Sequence, residues 1–219
     1  MILARPQITL KLATSLDGKI ALKNGISEWI TGSKSREYSR KLRSKYDAIL
    51  IGSNTAVLDN PQLTTRINGE KDPIRIVFDT NLRISEKSNL VLTAKKTPVW
   101  IFSNIISGNK FEELRENGVR IIKNSSPSNI NLTSAMQLLS ENGVKSLLLE
   151  GGGVLASSFL RIDAVDVIEW FRAPLILGGD SRDSISDLGL SSMDFVKRFN
   201  RIQINELGED IHETYERLI

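Results

Sequence analysis

Apolar and polar residues alternate over Gln7–Thr14, with Ile8, Leu10 and Leu12 on one side and Thr9, Lys11 and Ala13 on the other. A period of two predicts a strand. Lys11 then stands on the face opposite the apolar one. Asp17-Gly18 reads as a turn and Lys19–Ala21 as a short extended piece. A helix is expected over residues 33 or 35 to 46, opened by a serine cap, with Tyr38 and Leu42 four apart and basic residues, Arg43 among them, in its final turns. Five short, nearly continuous apolar runs follow at 47–52, 74–79, 99–103, 119–122 and 146–150, the pattern of strands buried on both faces. Helical periods fill 111–117 and 132–142, closed by Gly118 and Gly143. A further helix is expected over 154–160. Residues 164–173 turn strand-rich again, and 201–218 read as a hairpin turning at Gly208. Strands alternating with helices predict an α/β chain whose sheet is largely parallel.

With 219 residues, 40% of them hydrophobic, no internal repeat and no dividing linker, a single domain over 1–219 is expected. The absence of cysteine excludes disulfides and thiolate metal sites, and His212 is the only histidine, so histidine-pair and His/Cys zinc chemistry are excluded as well. No metal is expected. No apolar run reaches the roughly 20 residues of a membrane helix, and residues 1–7 lack a signal-peptide core, so a cytoplasmic location without membrane association is expected. The 29 Lys+Arg are interspersed with 26 Asp+Glu, leaving no footprint for nucleic acid.

Candidate chemistry lies first at Glu150-Gly151-Gly152-Gly153, between an apolar strand and a helix. Such a turn presents backbone N–H groups and a positive dipole end to an anion such as a dinucleotide pyrophosphate. A tight turn that merely needs glycine for positive φ accounts for the same residues. The spacing is not G-x-G-x-x-G, and the turn before Asp79 lacks the glycines that would make that residue a ribose-binding acid, so a standard Rossmann domain is disfavoured. Second, residues 59–66 carry Asp59, Thr64, Thr65 and Arg66 beyond the end of an apolar strand, where ligands of open α/β sheets gather. Asp59 with Arg66 also fits a surface ion pair, and Arg43 a solvated helical residue. Two converging arginines would suit a phosphate monoester. Third, the stretch from Lys11 to Ala21 followed by 27–32 fits a strand, a turn and an anchor at Trp29, which leaves the lysine on the non-core face unexplained.

In order along the chain, K-L-A-T-S-L-D-G-K-I-A, S-E-W-I-T-G, L-R-S-K-Y-D-A-I-L-I-G-S-N-T-A-V-L-D-N-P-Q-L-T-T-R, R-I-V-F-D, L-L-L-E-G-G-G and A-P-L-I-L-G-G closely resemble the reductase domain of the bacterial riboflavin-biosynthesis deaminase-reductases, from about Thr9 onward. The resemblance implies a dihydrofolate-reductase-like three-layer fold, a mostly parallel central sheet ending in an antiparallel hairpin, and NADPH-dependent reduction of 5-amino-6-(5-phosphoribosylamino)uracil to its ribitylamino product. Matched residue by residue, it makes Lys11 the lysine near the ribose and the candidate proton donor, with Asp59 beside it in the catalytic set. Ser27, Arg43 and Arg66 match residues at the substrate phosphate, and Leu63 and Glu150 other substrate contacts. Ala13, Trp29, Thr31, Thr55, Gly151, Gly152, Gly153 and Ser157 match cofactor contacts. The zinc deaminase that precedes this domain in the bifunctional proteins needs His and Cys ligands absent here as a set, so only the reductase half is expected. The partners implied are a small phosphoribosylamino-pyrimidine and a second copy in a homodimer. The alternatives are a reductase of the related diamino-pyrimidinone or of another pterin or pyrimidine, and a non-catalytic nucleotide-binding module.

Overall fold

The alternating N-terminal segment is strand β1 (Gln7–Thr14) in the computed structural model of the chain, which describes residues 5–126 and 128–218. Leu10, Leu12 and Thr14 are buried while Lys11 and Ala13 are half-buried, which follows the period of two, but Thr9, expected on the Lys11 side, is buried as well at 2% exposure. Then come β2 (Lys19–Ala21), α1 (Ser33–Arg43), β3 (Ala48–Gly52), α2 (Ser53–Leu58), β4 (Ile74–Phe78), α3 (Asn89–Leu92) and β5 (Val99–Ser103). They are followed by α4 (Asn109–Glu116), β6 (Arg120–Lys123), α5 (Leu132–Glu141), β7 (Ser146–Leu149), α6 (Gly153–Arg161), β8 (Val167–Arg172) and β9 (Arg182–Asp183). A single 3-10 turn at Met193–Phe195 precedes the hairpin of β10 (Phe199–Leu207) and β11 (Asp210–Arg217). The five apolar runs are strands within about one residue of their expected bounds. The pattern did not reveal α2 or α3, because helices of six and four residues are too short for a 3.6-residue period to register.

Contacts divide the chain into two compact units, one built on Arg40–Leu148 and the other on Ile8–Ser39 with the residues from Leu149 onward. In the first, strands lie in the order β7-β3-β4-β5-β6, and the pairs β3/β4, β4/β5 and β5/β6 are parallel. Ile49, Leu50, Ile51, Ile76, Val77 and Ile101 are wholly buried there, which explains why the runs of β3, β4 and β5 show no alternation, whereas β6, last in the order, has Ile121 and Ile122 only half-buried and departs from the expected two-faced burial. Each such side chain contributes about 1.5–3 kcal/mol of burial energy. Asp47 ties the starts of β3 and β7 together: its carboxylate accepts from the Lys145 and Ser146 N–H groups at 2.9 and 3.0 Å, and its own N–H donates to Ser146 Oγ at 3.0 Å.

In the second unit the order is β10-β11-β8-β1, with β1/β8 parallel and β8/β11 and β11/β10 antiparallel. The hairpin turns at Gly208, whose φ of 78° lies in the left-handed region. β8 is therefore interior, and β10 is the edge, leaving Ile202 and Ile204 exposed. The α/β class, the predominance of parallel pairs and the antiparallel C-terminal hairpin all stand as expected.

The start of α1 departs from expectation. Its cap is supplied across the fold by Asp210 of β11, whose Oδ2 accepts from the Gly32 N–H at 2.7 Å and the Ser35 hydroxyl at 2.5 Å. A serine in the first turn was visible in the sequence, but the carboxylate that it serves is 175 residues away.

Candidate functional site

The glycine turn stands at the end of β7, and its three glycines have three different reasons. Gly151 has a φ of 144°, which side chains rarely adopt. Gly153, the first residue of α6, is closely approached: an added Cβ would lie 2.5 Å from the Asp183 carbonyl oxygen and 2.9 Å from Ser186 Oγ. Gly152, the cap residue, has ordinary extended dihedrals (φ −78°, ψ 165°), and an added Cβ would meet nothing within 4 Å. Backbone conformation requires the first glycine and packing the third. Neither requires the second. Gly153→Ala should cost about 1–3 kcal/mol because backbone at 183–186 must shift, whereas Gly152→Ala should unfold within about 0.5 kcal/mol of the parent; paired thermal melts check the contrast.

The segment that crowds Gly153 is itself tied down. β9 pairs with β2, Lys19 Nζ lies 2.5 Å from Asp183 Oδ1, and the Ser184 N–H donates to the Gly18 carbonyl. Asp17 accepts from the Ser15 hydroxyl at 2.5 Å and from the Gly178 and Leu177 N–H groups. Those bonds, the serine's first, hold its carboxyl down to about 2. Ser157 is wholly buried, and its hydroxyl bonds the Gly153 and Ser186 carbonyls. It braces the turn from behind.

Also in the second unit, the Lys11 ammonium lies 5.7 Å from the centroid of the Phe171 ring on β8, and Ala13 pairs with that residue in the sheet. Glu150 is 8% exposed just before the glycines. Ser27 is exposed in the connection from β2 to α1. Trp29 is 71% exposed with a left-handed φ of 67°, and the Arg36 guanidinium lies 4.4 Å from its ring centroid. The same arginine donates to the Thr31 carbonyl at 2.5 Å. Trp29 lines a cleft of about 420 Å³ together with Ser33, Lys34, Pro174, Leu175 and Gly208.

The 59–66 loop belongs to the first unit. Asp59 ends α2, its N–H donating to the Thr55 carbonyl, so these two candidates share one helical turn. Arg43 is half-buried, and its guanidinium donates to the Thr64 carbonyl at 3.0 Å, which joins it to the same loop. Leu63 is buried at 3% exposure while Arg66 is exposed. Asn60, Leu63 and Arg66 all have left-handed φ values, 41°, 56° and 55°. Strained backbone of this kind, costing about 1–3 kcal/mol per residue, persists only where surroundings enforce it and clusters at binding sites. Here the enforcement comes from Asn89, which brackets Asn60 with two hydrogen bonds, from Asp72, which accepts from the Thr65 N–H and hydroxyl, and from Arg75, which donates to the Gln62 carbonyl.

Arg75 and a buried pair, Glu169 with His212, are the polar groups that sequence reasoning missed. An arginine inside the apolar run I-R-I-V-F was the signal for the first. Nothing local marked the second. Among the described residues no group of three or more His, Cys, Asp or Glu is arranged to hold a metal ion.

The model of the RibD C-terminal domain family matches residues 6–213. The riboflavin biosynthesis protein RibD of Bacillus amyloliquefaciens is 36% identical over 95% of this chain and 57% of its own length. The Aquifex aeolicus RibD is 36% identical over 97% of this chain and 58% of its own. The chain thus spans a little over half the length of these curated relatives. Among solved structures, a Thermotoga maritima diaminohydroxyphosphoribosylaminopyrimidine deaminase/5-amino-6-(5-phosphoribosylamino)uracil reductase superposes with a TM-score of 0.81 at 29% identity, covering 98% of this chain and 57% of that one. Acinetobacter baumannii RibD gives 0.85 at 26% identity, covering 98% and 59%.

Proposed function

The chain belongs to the RibD C-terminal domain family, and from that membership we propose that it is an NADPH-dependent reductase converting 5-amino-6-(5-phosphoribosylamino)uracil to the 5-phosphoribitylamino product in riboflavin biosynthesis. The observation that carries the cofactor part is Gly152, a glycine that neither its dihedrals nor its protein neighbours require. A residue kept free of a side chain at the N-terminal cap of α6 fits a diphosphate drawn close to main-chain N–H groups and the positive helix end. The Gly152→Ala variant, structurally tolerated, should therefore lose about tenfold or more in NADPH affinity; a fluorescence titration reads this.

A reduced nicotinamide supplies a hydride, here for C1 of the ribose. In this reading Lys11 gives the proton that the opening ring oxygen needs, and Asp59 orients the ribose hydroxyls. Arg43 and Arg66, with Ser27, take the phosphate end, where a guanidinium fork matches phosphate oxygens. Leu63 shapes its loop from the buried side, and Glu150 reads the pyrimidine. Ala13, Trp29, Thr31 and Thr55 flank the dinucleotide with Gly151–Gly153, and Ser157 braces that turn. Arg66→Lys keeps the charge and loses the fork, so the substrate KM should rise about tenfold with kcat little changed, as steady-state kinetics would show.

The whole chain, 1–219, acts as one reductase domain in this proposal. A homodimer is part of it too, supported by the nine-residue edge strand β10 that exposes Ile202 and Ile204. The location proposed is cytoplasmic; among the described residues no helix is long and apolar enough to cross a membrane. The deciding experiment follows reduced-nicotinamide absorbance with purified protein. Consumption on adding the phosphoribosylamino-uracil supports the assignment; consumption only with the diamino-pyrimidinone moves the substrate; heat protection by NADPH without consumption under either makes the chain a binding module.

A further inference from the structure

His212, the one histidine of the chain, is sealed in the second unit with its side chain 1% exposed. Its ring stacks on Phe171 at 4.5 Å between centroids, and Tyr38 of α1 packs on both rings, 4.7 Å from the histidine and 5.8 Å from the phenylalanine. The Asn205 amide nitrogen lies 3.1 Å from Nδ1, and Nε2 lies 2.6 Å from Glu169 Oε2. An amide donating to Nδ1 leaves the ring proton on Nε2, which donates it to the carboxylate. The Thr214 hydroxyl donates to the same oxygen at 2.8 Å.

A buried carboxylate is costly even when hydrogen-bonded, and an apolar residue of similar volume would serve stability as well or better. The sheet register indicates another use. Glu169 lies opposite Thr214 on one side and Lys11 on the other. Side chains at paired positions project from the same face, and the Lys11 ammonium does reach over Phe171, the ring on which His212 stacks. Burial first and the Glu169 charge second raise the hydroxyl pKa of Tyr38, the titratable group that packs here from α1. Glu213, the next carboxylate on β11, has opposite parity and is taken up by Arg172 at 2.8 Å, Arg201 at 3.2 Å and the Tyr215 hydroxyl.

We propose that Asn205, His212 and Glu169 form a hydrogen-bonded row of positioning residues that holds an ionised carboxylate beside the Lys11 ammonium, keeping it in place and charged until the substrate takes its proton. The row rests on the reading of Lys11 as proton donor, and neither His212 nor Glu169 exchanges a proton with substrate. A ligand-free measurement separates the two claims. With lysine carrying a ¹³C label at Cε, the Lys11 resonance, identified by its loss in Lys11→Arg, is titrated by NMR. Glu169→Gln removes the charge and keeps an acceptor for His212 and Thr214, so the Lys11 pKa should fall by roughly one unit. The alkaline limb of kcat should move to lower pH by the same amount, since the acid must be protonated, with KM for both substrates within about twofold. If Glu169→Gln does not fold, Asn205→Asp, at a half-buried site, makes the imidazole an imidazolium that competes for Glu169, and Lys11 should shift the same way by less. An unmoved Lys11 titration in the folded variant overturns the row. Undiminished turnover in Lys11→Ala would instead remove the proton donor on which the row depends.

Discussion

Lys11→Ala is expected to lower kcat by about 10²- to 10⁴-fold, the span that a general acid contributes, with little change in the NADPH dissociation constant. The expectation rests on placement. Lys11 is half-buried on the face of β1 opposite Leu10 and Leu12, near Phe171 and beside Glu169 in register, where a lysine adds nothing to an apolar core. Removing the ammonium also takes the cation from beside the buried Glu169, so a thermal melt of the variant, run with the kinetics, separates lost turnover from lost fold. Steady-state kinetics with cofactor titration decides it. A kcat within about threefold of the parent would transfer the proton to another group, and Asp59 would then be the next to test.

Arg75→Ala should be the most damaging substitution outside the reacting groups, with a loss of about 3–5 kcal/mol in unfolding free energy. The residue is wholly buried in β4, and burial draws its guanidinium down to about 10, which leaves it a cation at neutral pH. It donates to the Gln62 carbonyl at 3.2 Å, the Thr93 hydroxyl at 2.6 Å, the Thr93 carbonyl at 3.2 Å and the Thr97 carbonyl. Truncation removes the packing of the stem and deprives four acceptors of a donor at once, the buried Thr97 carbonyl and three part-buried oxygens of Gln62 and Thr93. A melting temperature lower by roughly 6–12 °C is the corresponding shift for a chain of this size. Because Gln62 sits in the loop with the left-handed Asn60, Leu63 and Arg66, faster hydrogen exchange at 60–66 should accompany it. A melting temperature within about 2 °C of the parent would show that the loop is held by Asn89 and Asp72 instead.

The candidate site divides by how local its causes are. Lys11 was singled out by the period of β1, and the structure keeps it on the predicted face. The glycine turn was found from its place between an apolar run and a helical one, but which glycine answers to conformation, which to packing and which to neither appeared only when Asp183 and Ser186 were seen against Gly153. Arg43 could be read as solvated or as a ligand, and it proves to hold the 59–66 loop through Thr64. Ser157, matched to the cofactor by resemblance, has its hydroxyl committed to the Gly153 and Ser186 carbonyls.

From the chain alone came every strand but the two-residue β9, the longer helices, the α/β class and the C-terminal hairpin, because each depends on periods of two or 3.6 among neighbours and on glycines at their ends. Folding alone decided the tertiary cap from Asp210, the burial of Arg75, the crowding at Gly153 and the Glu169–His212 pair. Those depend on residues 175, 22, 30 and 43 positions apart brought within bonding distance. No local pattern encodes such distances; the register of paired strands and the packing of loops against them do.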